Sequence, residues 1–182
     1  MPKPELEQAN QWLAIRRNHT KVLTAICPGA NQSAKFWPLD RFEEIGRRLI
    51  EQGESDLIVI GGPAERSIGN QLTAAWGNGI NAAGQFSVME SAALLSRCKF
   101  LLGLDTGTTH LAAALGIPCI ALYADRDPPG QWEPLGNNYV LLRHPVPCGC
   151  CGLKECPIPD HPCMTKITTE SVWSAILQIN TL

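Results

Sequence analysis

Short apolar runs alternate with longer stretches of helical spacing along this chain. Val22–Cys27, Asp56–Ile60, Phe100–Leu104, Cys119–Tyr123 and Tyr139–Leu142 have the length and near-continuous apolarity of buried strands. Ile80–Ala83 reads as a further short one. A first helix is predicted over Glu5–Arg17, from Leu6, Ala9, Leu13 and Ile15, with Trp12 as an anchor. Others are predicted from about Leu39 to Gln52 and from after Pro63 through Trp76. Ser87 then caps a helix running to about Arg97, with Glu90 completing a capping box. Thr108-Thr109-His110 open an Ala/Leu-rich helix that stops at Gly116. Thr168 caps a closing helix to Ile179, with Val172, Ala175, Ile176 and Ile179 on its apolar side. Strands alternating with helices imply βαβ units, hence an α/β, Rossmann-like parallel sheet with helices on both faces.

Polar residues gather where the strands end. Phe100–Leu104 runs into Asp105-Thr106-Gly107 just before a helix. Buried parallel strands bind ligands at their carboxyl ends, and a helix N-terminus there offers free N–H groups to a phosphate. Gly107 lets a ligand approach the backbone, and Asp105 or a threonine hydroxyl can bond ribose or phosphate. The plainer alternative is that Asp105 or Thr108 caps the helix and His110 packs on its first turn. Val22–Cys27 runs into a loop over 28–38 in which Asn31 and Ser33 are turn formers and Lys35 is a lone cation. Such a cation can neutralise a pyrophosphate, or it can be a solvated surface lysine. Asp56–Ile60 ends in Gly61-Gly62-Pro63, where paired glycines indicate a close backbone approach. Glu65 follows near a helix start, where a carboxylate suits the dipole without any function. Phe86 is either core or a platform for a base.

Composition narrows the class. The chain has 182 residues, 45% of them apolar and 18% charged, with a formal net charge of −2. It is therefore globular, and with no basic block nucleic acid is not an expected partner. The N-terminus MPKPELEQAN has no signal-peptide pattern, so a cytoplasmic protein is expected. Five of the eight cysteines lie between Cys148 and Cys163. Cys148, Cys151, Cys156 and Cys163 have spacing that could supply four thiolates to zinc, with His144, Cys150, Asp160 and His161 as alternative ligands. Reduced packing cysteines are the preferred reading over zinc, with disulfides last, and no metal is assigned to the site. A catalytic thiol lacks a paired histidine motif.

The stretch Asp105–Pro118, DTGTTHLAAALGIP, resembles the signature of glycosyltransferase family 9, the heptosyltransferases. The loop Pro28–Pro38 resembles that family's P-G-A/T-x-x-x-x-K-x-W-P, and the resemblance extends over about residues 5 to 180. It implies one half of a GT-B glycosyltransferase, transferring heptose from an ADP-sugar to the lipopolysaccharide core with inversion. Residues 1–20 would be a connector helix and 21–182 the donor-binding domain, with the N-terminal acceptor domain and its general base absent. The chain would then bind nucleotide sugar but not transfer it alone. The implied donor-binding residues are Asn31, Lys35, Glu65, Phe86, Asp105, Thr106, Gly107 and His110, with Lys35 on the phosphates, Glu65 near the ribose and Phe86 beside adenine. No cofactor is implied beyond the donor substrate. The acceptor would engage through the missing domain, at the inner face of the membrane. The sequence departs from the family's Gly-Pro-Thr-x-Pro at Ala124-Asp125-Arg126. The alternative is a stand-alone nucleotide-binding or regulatory module serving a separate catalytic chain. An oxidoreductase or epimerase is disfavoured, because neither G-x-G-x-x-G nor a Tyr-x-x-x-Lys pair is present.

Overall fold

The computed structural model describes residues 3–16, 21–53 and 55–180. Its elements are α1 (Lys3–Arg16), β1 (Val22–Cys27), α2 (Leu39–Glu51), β2 (Ser55–Val59), α3 (Arg66–Trp76), β3 (Ile80–Asn81), α4 (Val88–Leu95), β4 (Cys98–Leu104), α5 (Gly107–Ala114), β5 (Cys119–Tyr123), β6 (Tyr139–Arg143), α6 (Pro162–Thr165) and α7 (Thr169–Asn180). All six strands are parallel, in the order β3-β2-β1-β4-β5-β6. The chain fills one half of the sheet from β1 outward, then crosses back to lay β4 on the other side of β1. Between β1 and β4 the connections part, and a crevice opens at the carboxyl ends of the strands.

Alternation along the strands divides the core in two. Ile26, Leu57, Val59, Leu102, Leu104, Ile120 and Leu122 face α2, α3 and α7. Leu23, Ala25, Cys27, Ile58, Leu101 and Cys119 face α1, α4 and α5. A two-residue period with both faces covered produces the near-continuous apolar runs. On α2, Phe42, Ile45, Gly46 and Leu49 are buried at helical spacing. Gly46 leaves room for the Trp76 indole, whose Nε1 donates to the Glu43 carbonyl at 3.1 Å.

Several details differ from the sequence reading. The short strand ends at Asn81, and α4 ends at Leu95, with Ser96 as its C-cap. β4 starts two residues early, at Cys98, where its pairing with β1 slips past Lys99. The four-residue α6 was not predicted; it follows His161, which adopts a left-handed conformation at φ 44°. Neither Asp105 nor Thr108 is the N-cap of α5: that position is Thr106, and its side chain makes no capping bond. Arg17, the predicted end of the first helix, lies outside the described residues, as do 18–20 of the predicted connector. The Ser87–Glu90 capping box is present, with the Ser87 N–H donating to the Glu90 carboxylate at 2.7 Å. That bond holds the Glu90 carboxyl below its ordinary range. Thr168 Oγ1 accepts the Ser171 N–H at 3.1 Å, as its predicted capping role requires. Among the described residues no helix is long and apolar enough to cross a membrane.

Candidate functional site

The crevice is a cleft of about 850 Å³ over the carboxyl ends of β1, β2, β4 and β5. Asn31, Lys35, Glu65, Phe86, Asp105, Thr106, Gly107 and His110 all line it, so the eight residues singled out along the sequence meet in one place.

Lys35 reaches the cleft from a single 3-10 turn, Ser33–Lys35, after β1. Its Nζ stands 2.7 Å from Asp105 Oδ2 and also donates to the Asp105 carbonyl at 3.4 Å. Both side chains are largely shielded, at 14% and 8% exposure. An ammonium carries three donors, so one of them remains for a ligand oxygen. His110 Nε2 lies 3.7 Å from the other carboxylate oxygen of Asp105. One carboxylate at the end of β4 thus gathers the cation of the β1 loop and the imidazole of α5.

α5 is aimed by packing beneath it. Buried Thr109 donates to the Leu104 carbonyl at 2.6 Å, and a Cβ on Gly103 would crowd its hydroxyl. The α5 start therefore seats directly on the end of β4. A Cβ on Gly107 would meet nothing within 4 Å, so this backbone is open to the cleft. Thr106 Oγ1 sits 3.5 Å from the Cys27 sulfur. Burial pushes the Cys27 thiol up and favours its protonated form, opposed by hydrogen bonds from Thr106 and Thr108.

At the other end of the cleft, Glu65 folds back over the backbone. Its carboxylate accepts the Gly62 N–H at 2.6 Å, and its side chain lies where Cβ atoms on Gly29 and Gly61 would fall. The close approach signalled by Gly61-Gly62 is thus made, in this structure, by Glu65 itself. The Phe86 ring packs edge-on against Trp12 at 4.9 Å and also lines the cleft.

The β5–β6 loop adds residues that were not singled out: Arg126, Asp127, Gln131 and Trp132 line the same cleft. Their signal was available, because Arg126 lies three residues past the end of β5, at the place where the family pattern breaks. Gln32, on the β1 loop, was also passed over.

The cysteine segment does not gather as its spacing suggests. Cys148, Cys150 and Cys151 are exposed, Cys156 is half-buried and Cys163 is in the core. Among the described residues no three His, Cys, Asp or Glu side chains come together as metal ligands would. The packing reading holds for Cys163 alone, whose thiol burial pushes up.

The profile of glycosyltransferase family 9 (heptosyltransferase) matches residues 2–161. The chain belongs to glycosyltransferase family 9. Lipopolysaccharide heptosyltransferase 2 of Salmonella typhimurium is 32% identical over 131 residues, covering 68% of this chain and 36% of that protein. The solved structure of the E. coli ADP-heptose lps heptosyltransferase II matches with a TM-score of 0.81 at 23% identity, covering 98% of this chain and 52% of that one. E. coli heptosyltransferase WaaC, solved with ADP, matches at 0.70 and 21% identity, over 94% of this chain and 48% of that one. The fold is thus one Rossmann-like half of a GT-B glycosyltransferase. The chain spans about a third of the curated relative and about half of the solved chains.

Proposed function

We propose that this family 9 domain binds the ADP-sugar donor of a heptosyltransferase and stabilises the departing diphosphate. The observation that carries the reading is the meeting of Lys35, Asp105 and the open start of α5 at the β1–β4 crevice. The adenosine would lie toward β2, beside Glu65 and Phe86, with its diphosphate over α5. In the transfer, an acceptor hydroxyl forms a bond to the anomeric carbon as that carbon's bond to the diphosphate breaks. The electron pair leaves with the phosphate oxygen, and the hydroxyl proton goes to a base outside this domain. Lys35 and the first N–H groups of α5 would then face the charge that develops on the leaving group. Asp105 holds Lys35 in place and is free to accept from a hydroxyl of the donor.

We infer that the acceptor, the lipopolysaccharide core, and the general base belong to a second half facing the cleft. The 182 residues by themselves would bind donor without transferring sugar, and the setting inferred with this role is the cytoplasmic face of the inner membrane. No metal or other cofactor is assigned a part in the reaction. Thermal stability of the purified chain with ADP, UDP, GDP or NAD tests the reading, since a ligand that binds only the folded state raises its stability. Stabilisation by ADP, reduced in Lys35→Ala and Asp105→Ala, is expected. Preference for NAD, or unchanged stabilisation in both variants, would overturn it.

A further inference from the structure

Arg126 stands where this chain leaves the family pattern, and its surroundings are unusual for a cleft residue. It is only 9% exposed. One amino group of its guanidinium donates to Gln32 Oε1, and the other donates to the Gly152 carbonyl at 2.7 Å. Nε donates no hydrogen bond and faces the Asp127 carboxylate at 3.6 Å. The fork therefore joins the loop after β1 to the segment after β6.

That segment, residues 146–154, is strapped onto the turn after β5. The Gly152 N–H returns a bond to the Arg126 carbonyl at 2.8 Å, and the Cys150 N–H donates to the Asp125 carbonyl at 2.7 Å. The buried Asp125 carboxylate accepts the Val146 N–H at 3.0 Å, and a Cβ on Gly149 would run into it. Gly152 is left-handed at φ +65° with open space around its Cβ direction, so its need for glycine comes from conformation rather than crowding. Two residues further on, the Lys154 carbonyl accepts the Ala34 N–H at 3.0 Å and the Ser33 hydroxyl at 3.5 Å. Ala34 and Ser33 are the rest of the turn that carries Lys35. That turn is thus held from the strap on one side and through Gln32 on the other, with Arg126 bonded to both.

We propose that Arg126 is a positioning residue, bracing the Lys35 turn against the 146–154 strap so that the cysteine segment holds the cleft's cation in register with Asp105. A guanidinium suits the task because its rigid fork reaches two acceptors at once, which a lysine ammonium on a flexible stem does not reproduce. The effect on ligand binding rests on the nucleotide reading above; the brace itself does not.

The test uses the full chain in two arms. In the first, amide hydrogen exchange is compared between the wild type, Arg126→Gln, Arg126→Lys and Gln32→Ala. The amides of Ala34, Cys150 and Gly152 are expected to exchange about tenfold faster in Arg126→Gln, as for one lost charge-assisted bond, with those of β1, β4 and β5 unchanged. Arg126→Lys should not restore protection. Unchanged exchange at Ala34 overturns the proposal. If Arg126→Gln does not fold, Gln32→Ala decides by the same readout at Ala34. In the second arm, ADP affinity is measured for Arg126→Gln, Lys35→Ala and the double variant. A brace acting through Lys35 predicts that the Arg126→Gln loss largely disappears in the Lys35→Ala background, whereas equal losses in both would mean that Arg126 contacts the anion directly, against the proposal. Faster exchange with no ADP binding by the wild type sinks the nucleotide reading and keeps the brace. Normal ADP binding with unchanged exchange does the reverse.

Discussion

Lys35 and Asp105, seventy positions apart in the chain, meet across the β1–β4 crevice with Nζ and Oδ2 at 2.7 Å. Asp105 is the more enclosed partner, at 8% side-chain exposure, and His110 stands only 3.7 Å from its second oxygen. The pair lines the cleft, and an ammonium has three donors, so a ligand anion can share the cation without displacing the carboxylate. This geometry makes Lys35 the hinge of the proposed donor site.

Lys35→Ala is expected to weaken ADP binding at least about tenfold, the loss of one charge-assisted hydrogen bond. Isothermal titration calorimetry measures this. An affinity within twofold of the wild type would remove Lys35 from the site. Truncation also leaves a shielded carboxylate without its cation, so the variant should melt below the wild type.

Gly107→Ala separates folding from binding. A Cβ there meets nothing in the free chain, so stability should stay within about 0.5 kcal/mol of the wild type. A phosphate resting on the start of α5 would meet that methyl, and ADP affinity should fall by about tenfold, or ~1.4 kcal/mol. Equal ADP binding by the two proteins would place the phosphates elsewhere.

Gly29 and Glu65 should behave as a coupled pair. Gly29→Ala drives a methyl into the Glu65 side chain and should cost about 1–3 kcal/mol, as overpacking does. In a Glu65→Ala background the same substitution should cost much less. Urea unfolding of the four proteins measures the coupling, and additive losses would contradict the steric account.

Cys119 predicts an alkaline limit to stability. Burial pushes its thiol from an ordinary value of 9.0 up to about 12. Above pH 9 the unfolded chain therefore releases this proton while the folded chain keeps it, and stability falls by roughly 1.4 kcal/mol per pH unit until the folded pKa is reached. Cys119→Val should flatten that part of the profile. Urea midpoints at pH 7.5, 9 and 10.5 provide the comparison, and parallel declines in both proteins would assign the alkaline loss to other groups.

Much of this molecule is legible without coordinates. β1 and β5 were bounded to the residue, because strands covered on both faces must be continuously apolar and end where polar residues begin. The polar residues at those ends marked the cleft for the same reason: in a parallel sheet all the carboxyl ends lie on one side. What the chain order does not show is which ends become neighbours. Strand order places Lys35 against Asp105, and close packing decides that Glu65 fills the space left by Gly29. Thr106, rather than Asp105 or Thr108, is the N-cap of α5, and Thr109 anchors the first turn of that helix to Leu104. The cysteine segment marks the limit most clearly. Its spacing suits a metal, yet backbone hydrogen bonds tie it to Asp125, Arg126 and Ala34, with Cys148 exposed and Cys163 in the core. Local pattern determined the elements and the chemistry at their ends. Long-range backbone bonds and side-chain packing, which no local pattern encodes, decided the partners.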